Sequence, residues 1–119
     1  MRDEGRPIFL QIAELIEDSI IGGTLEEETQ APSTNELAAF HRINPATAAK
    51  GLNHLVADGV LYKKRGIGMF VAEGARTRIR DRRKQAFAED FVRPLLAEAS
   101  RLGMDTRDVT KLIENEGRA

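Results

Sequence analysis

The chain contains no cysteine, which excludes disulfides and thiolate metal sites. It also lacks any apolar run near the ~20 residues that a membrane-spanning helix needs. Its start, Met1-Arg2-Asp3-Glu4-Gly5-Arg6, is polar and does not have the pattern of a signal peptide. A cytoplasmic protein with no membrane partner is expected. An excess of positive charge is missing too, since the formal net charge is −1 over 119 residues. The distribution is uneven. Residues 1–75 carry 7 Lys/Arg against 11 Asp/Glu, a balance of −4, and residues 76–119 carry 11 against 8, a balance of +3. Any affinity for nucleic acid must therefore come from local patches rather than a global field. No nucleophile–base pair and no phosphate-binding glycine motif is present. Gly66-x-Gly68 is not a dinucleotide fingerprint, because no helix follows it at the right place. His41 and His54, the only histidines, fall on different elements without a carboxylate cluster. No catalysis, no metal and no cofactor is expected. The length allows one domain, or one domain with a small appendage, able to bury a core without staples.

Hydrophobic spacing organises what is there. Ile8, Ile12, Leu15, Ile16 and Ile20 recur at helical intervals and predict a helix over residues 7–21, ended by Gly22-Gly23. Glu14, Glu17 and Asp18 fall off that stripe. The run Glu26-Glu27-Glu28 reads as a solvated loop, with a short strand near residues 29–31. Ser33-x-x-Glu36 is a capping box. It opens a short helix over about residues 34–40, with Leu37, Ala38 and Phe40 available for packing. His41-Arg42-Ile43 is a turn. Asn44 is a good N-cap and Pro45 suits the first helical position. That helix reaches about Asp58 and stops at Gly59. Leu52, Leu55 and Val56 form its buried stripe, while Thr47, Lys50 and His54 share another side.

Residues 60–63 and 69–71 are β-prone and flank Lys64-Arg65-Gly66-Ile67-Gly68, which predicts a hairpin. Gly74 and Ala75 then read as a hinge. Beyond it, Ile79, Phe87, Phe91, Leu95, Ala99 and Leu102 space mainly by fours. Pro94 must kink or restart that helix, and Gly103 closes it. Asp105 caps a last helix over about residues 106–114. The fold class is mainly α with a small β-hairpin wing. The expected organisation is a compact winged domain over residues 7–73 followed by a helical unit over residues 76–117.

These pieces in this order resemble the winged helix-turn-helix of the GntR superfamily of bacterial transcription regulators. Pro7-Ile8-Phe9-x-Gln11-Ile12, Pro32-Ser33-x-x-Glu36-Leu37-Ala38 and Gly66-x-Gly68-x-Phe70-Val71 carry the resemblance over residues 7–72. Asn44-Pro45-x-Thr47 is similar to the YtrA-like subfamily, as is a short two-helix tail for dimerisation. The resemblance implies a homodimeric, sequence-specific DNA-binding regulator, a repressor, acting on a pseudo-palindromic double-stranded operator. Four positions depart from the family pattern. Asn35 replaces an Arg that touches DNA backbone, Ala48 replaces Val, Glu28 replaces Gly, and Ala31 replaces Leu.

A helix-turn-helix sets the N-terminal part of its second helix against base edges. Here that end offers Asn44, Ala46, Thr47 and Lys50. Asn44 serves first as a cap. Thr47 can donate to a base or phosphate, Ala46 can meet a thymine methyl, and Lys50 suits a phosphate. Thr34 and Asn35 open the preceding helix. Lys63, Lys64 and Arg65 put three consecutive cations at the hairpin tip, with Gly66 and Gly68 letting the backbone come close. Arg65 is placed to enter a minor groove. The basic run from Arg76 to Lys84 reads either as a solvated helix face or as contacts to flanking phosphates.

Phe87, Phe91, Leu95 and Leu102 are too many large apolar groups for a lone two-helix tail. A self-complementary apolar face favours two-fold pairing, and packing on the chain's own winged domain is the other solution. A tail this small cannot itself enclose a pocket of the ~300 Å³ or more typical of ligand sites. A small-molecule effector of unknown identity would sit between protomers or between domain and tail, and there need be none. The acidic balance of residues 1–75 and the uncharged Asn35 leave open a winged-helix protein-interaction module without DNA binding.

Overall fold

A computed structural model describes residues 5–118. Met1–Glu4, on which the reading of the polar start chiefly rests, lie outside the described residues. The elements are α1 (Ile8–Ile21), α2 (Thr34–His41), α3 (Pro45–Ala57), β1 (Leu61–Lys64), β2 (Gly68–Val71), α4 (Ala75–Phe87), α5 (Arg93–Arg101) and α6 (Thr106–Gly117), with a π-helical turn over Ala88–Val92 between α4 and α5. The chain divides into two compact units between Asp81 and Arg82.

In the first unit α1, α2 and α3 surround one core. Ile12, Ile16 and Ile20 of α1 meet Leu37 and Ala38 of α2 and Ala48, Leu52 and Leu55 of α3. Each fully buried aliphatic side chain contributes about 2 kcal/mol. The buried face of α1 is rotated from the sequence expectation. Ile8 and Leu15 are exposed, while Ala13 and Glu17 are buried. The cause is the close crossing of α3. A Cβ at Gly51 would lie 3.0 Å from the Phe9 carbonyl and 3.4 Å from Ile12 Cγ2. Glycine at that point lets the two helices approach beside Phe9 and Ile12. Val56 is only half-buried and packs at the core's margin. Phe40, expected to pack, is 82% exposed. In a helix of two turns the inward positions are taken by Leu37 and Ala38, and Phe40 falls on the outer side with Glu36.

Local signals set the helix ends. The Ser33 hydroxyl accepts from the Glu36 N–H at 3.1 Å, and the Ser33 N–H donates to the Glu36 carboxylate at 3.0 Å. Asn44 Oδ1 accepts from the Ala46 N–H at 2.8 Å, with Pro45 in the first helical position. Between α2 and α3 the chain reverses through Arg42, in the left-handed region at φ 55°. The Ile43 N–H returns to the Ala38 carbonyl at 3.0 Å, closing the helix as a Schellman-type end. A glycine usually does this, so the residue types concealed it.

The wing is an antiparallel pair with Leu61 opposite Val71, Tyr62 opposite Phe70, Lys63 opposite Met69 and Lys64 opposite Gly68. The segment before α2 runs along its other edge. Glu28 N–H donates to the Val71 carbonyl at 2.8 Å and Ala31 N–H to the Met69 carbonyl at 2.8 Å. A bridge joins Gln30 to Phe70, so the expected strand is reduced to that single pairing. Glu28 sits at φ 65°, which explains why the resembled family prefers glycine there.

The acidic run is not merely solvated. The Glu27 carboxylate accepts from the Gly74 N–H at 2.8 Å and the Arg76 N–H at 3.1 Å, which satisfies two donors at the start of α4. The Glu28 carboxylate accepts from the Tyr62 hydroxyl at 2.8 Å. Gly74 and Ala75 do not form a free hinge either, because Ala75 and Ile79 are buried in the core of the first unit. The bonds from Gly74 and then Arg76 hold the Glu27 carboxyl below its ordinary value of 4.5. A lowered carboxyl pKa stabilises the fold above the unfolded value, and that contribution is lost as pH falls through the folded one. Glu27→Gln should therefore lower the Tm at pH 7, and the gap to wild type should close below about pH 4.5. Thermal melts followed by circular dichroism at pH 7 and pH 3 test this. A gap that stays constant with pH would show that the charge plays no part.

In the second unit α5 and α6 pack through Ala99 and Val109, the two buried apolar residues among those described there. Pro94 does not interrupt the helix, because Phe87, Val92 and Arg93 all keep helical dihedrals. Instead the helix widens just before Pro94 into a π turn, in which the Arg93 N–H bonds the Ala88 carbonyl, five residues back. Asp105 and Asp108 form a reciprocal cap at the start of α6, with N–H to carboxylate distances of 2.9 and 3.0 Å.

Candidate nucleic-acid interface

The start of α2 and the wing face each other across a groove of about 610 Å³. Thr34 and Asn35 stand on one side, with Lys63, Lys64, Arg65, Gly66, Ile67 and Gly68 on the other. Leu52 and Met69 contribute its apolar lining. Asn35 is exposed and Thr34 half-buried. The Ser33 hydroxyl is already used by the cap, and Glu36 is turned back onto Ser33. The Ser33 N–H, and then its hydroxyl, keep the Glu36 carboxyl below its ordinary value. That acid is thereby engaged at the helix end.

The three wing cations, equivalent in the sequence, are not equivalent in space. Strand alternation puts Lys63 on the face of Leu61 and Met69, and Lys64 on the face of Tyr62 and Phe70. Lys64 Nζ lies 4.1 Å from the centre of the Phe70 ring, a cation–π contact. Arg65 is exposed in the turn. The two glycines also differ. A Cβ at Gly66 would meet nothing, so that residue answers only to its φ of 78°. A Cβ at Gly68 would fall 2.6 Å from the Gln30 amide nitrogen. That nitrogen donates to the Ile67 carbonyl at 3.1 Å and braces the wing.

Asn44 caps α3 and Ala46, Thr47 and Lys50 lie on it, and none of the four lines this groove. Asn44, Ala46 and Lys50 are exposed and Thr47 is half-buried. Lys50 Nζ rests 4.2 Å from the centre of the Phe9 ring. His54 meets the same ring edge-on at 6.0 Å and lies 3.4 Å from the Asp58 carboxylate. It is thus tied into the α1–α3 surface. Among the described residues no group of three His, Asp or Glu side chains is placed to hold a metal ion.

The basic run after the wing is divided in its roles. Arg76 Nε donates to the Ile21 carbonyl at 3.0 Å, and Arg78 to the Asp58 carbonyl at 3.2 Å. These guanidiniums secure the ends of α1 and α3, where cations complement the helix dipole. Arg80 and Lys84 are exposed.

The sequence reading gave no role to Phe9, Gln30 or Glu27. No local pattern marks the last two, since Gln30 acts on a residue 37 positions away and Glu27 on ones 47 and 49 away.

Residues 9–71 match the family described as bacterial regulatory proteins, gntR family. The repressor YtrA of Bacillus subtilis is 25% identical over 91% of this chain and 82% of its own length. A GntR-family transcriptional regulator from Bacteroides thetaiotaomicron superposes with a TM-score of 0.73 at 35% identity, covering 93% of this chain and 96% of that one. The DNA-binding domain of AraR, solved in complex with an operator, superposes with a TM-score of 0.53 at 33% identity over 56% of this chain and 80% of that one. No helix among the described residues is long and apolar enough to cross a membrane. The chain belongs to the GntR family and is a DNA-binding transcription regulator, not an enzyme, built on a winged helix-turn-helix.

Proposed function

We propose that the chain is a cytoplasmic, homodimeric repressor that reads a pseudo-palindromic operator. One observation carries this reading: the start of α2 and the cationic wing converge on a single groove. Phosphates would lie in that groove against Thr34, Asn35, Lys63 and Arg65. Ala46 and Thr47 would meet base edges, and Lys50 a phosphate. DNA binding is assigned to residues 7–73 and dimerisation to 76–117. The start of the latter segment, through Ile79, packs with the winged core.

The second unit supports the dimer. Phe87, Phe91, Leu95 and Leu102 are exposed, as are Leu96, Leu112 and Ile113. Between α5 and α6 lies an open groove of about 430 Å³, lined by Leu95, Leu102, Leu112 and Ile113 among others. So large an apolar surface on a small unit marks an interaction site. We assign it to a second copy rather than to an effector.

The test is fluorescence anisotropy of the full chain with DNA from upstream of its own gene, across salt concentrations. The expected result is tight binding at low salt that weakens linearly in log–log form, by about 0.9 per phosphate contacted. No binding at low salt would instead favour a protein-interaction module, for which the uncharged Asn35 argues.

A further inference from the structure

Phe9 sits in the first turn of α1, where that helix crosses α3. A Cβ at Gly51 would come within 3.0 Å of its carbonyl, so the residue is anchored at the helix contact. It is half-buried there. Two side chains of α3 meet its ring. The Lys50 ammonium lies over the face, 4.2 Å from the centre. His54 meets the ring edge-on at 6.0 Å. Lys50, His54 and Asp58 follow one another at four-residue intervals along α3 and its C-cap, so they form one line. The His54 imidazole lies 3.4 Å from the Asp58 carboxylate and stands between that acid and the lysine.

We propose that Phe9 is a positioning residue for DNA binding, which holds the Lys50 ammonium, with its charge intact, in the pose that meets an operator phosphate. The inference rests on the operator reading above and adds to it a residue of α1, away from both the wing and α3. A carboxylate beside Lys50 would orient the ammonium but cancel its charge, and it would compete with an incoming phosphate. The face of a ring attracts the ammonium through its quadrupole and cancels nothing. A free lysine gives up much rotamer freedom when it is fixed. One already laid over a ring gives up less on binding. His54 completes the arrangement, since it packs on the ring's other contact and engages Asp58. Phe9 acts through Lys50.

The experiment uses the full chain and the duplex that wild type selects from a randomised library. Phe9→Leu keeps an apolar side chain and removes the ring. It should bind about threefold more weakly for each half-site, or about tenfold on a full operator, the size of an exposed cation–π contact. Its salt slope should not change, because the Lys50 charge is still present. Lys50→Met should instead lower the slope by about 0.9 for each half-site, and adding Phe9→Leu to it should cost nothing further. Phe9→Tyr, which keeps the ring face, should bind as wild type does. Phenylalanines of rising fluorine number at position 9 separate pose from packing, because they keep the ring's shape and weaken its negative face. Affinity should fall stepwise along that series at constant Tm. An affinity unmoved by fluorination, or a Phe9→Leu loss that persists beside Lys50→Met, would overturn the proposal and leave the operator reading standing. If wild type selects no duplex, both readings fall together.

Discussion

Replacing Lys63, Lys64 and Arg65 together with alanine should lower operator affinity by at least about a hundredfold at physiological salt, because phosphate contacts supply much of the binding. The salt slope should fall by about 2 rather than by the nearly 3 that three phosphate contacts would give. The reason is the strand alternation. Lys63 and Arg65 line the groove with exposed side chains, and Lys64 borders it too, but the Lys64 ammonium rests over the Phe70 ring. Single substitutions should show the same division. Lys63→Ala and Arg65→Ala should each reduce the slope, and Lys64→Ala should leave it nearly unchanged. The wing itself should survive, since its edges are held by Glu28, Gln30 and Ala31. Titrations of the four variants at several salt concentrations check this. An unaltered affinity in the triple variant would remove the wing from the DNA interface.

The wing cations matter more here because Asn35 brings no charge to the start of α2. The acidic groups nearby are also kept from the groove. Glu36 is folded onto Ser33, Glu27 caps α4, and Glu28 accepts from Tyr62. The unfavourable balance of residues 1–75 therefore overstates the negative charge facing a phosphate. What matters to the ligand is where the carboxylates point.

Local signals made the architecture legible. Ser33 with Glu36, Asn44 with Pro45, and the Gly66-Ile67-Gly68 turn each act within a few residues, so the sequence displays them. Element order followed from hydrophobic spacing for the same reason. Other features depended on partners distant in the chain. The rotated face of α1 follows from a glycine on α3. Glu27 found its role at a helix that starts 48 residues later, at Ala75. Two arginines of the basic run proved to be tied to helix ends by 20 and 55 residues of separation. The three wing cations were legible as a group, but their division needed the strand register. Phe40 misled because short helices bury only the positions their neighbours reach.

Leu95→Asp should convert the protein to a monomer. Leu95 lies on α5, one turn before Ala99, and borders the apolar groove facing α6. It is 45% exposed in the chain, so aspartate there keeps access to water in the monomer. Ala99 and Val109 still pack α5 against α6, and the helical circular dichroism should be retained. In a dimer the same position would bury a carboxylate. The cost of taking an unpaired charge out of water is several kcal/mol, and two-fold symmetry imposes it twice. Phe91→Asp should act alike, and it also removes the ring partner of Phe87, whose centroid lies 5.4 Å away. Sedimentation equilibrium should give the mass of one 13.2 kDa chain. DNA binding then supplies a second readout. Two linked half-site contacts gain about 10²–10⁴ over one, so affinity for the full operator should fall by that range. Affinity for an isolated half-site should not change, because the winged unit is untouched. A dimeric Leu95→Asp would refute this interface and move pairing to another surface. A monomer that still binds the full operator as tightly as wild type would show that one winged unit is enough.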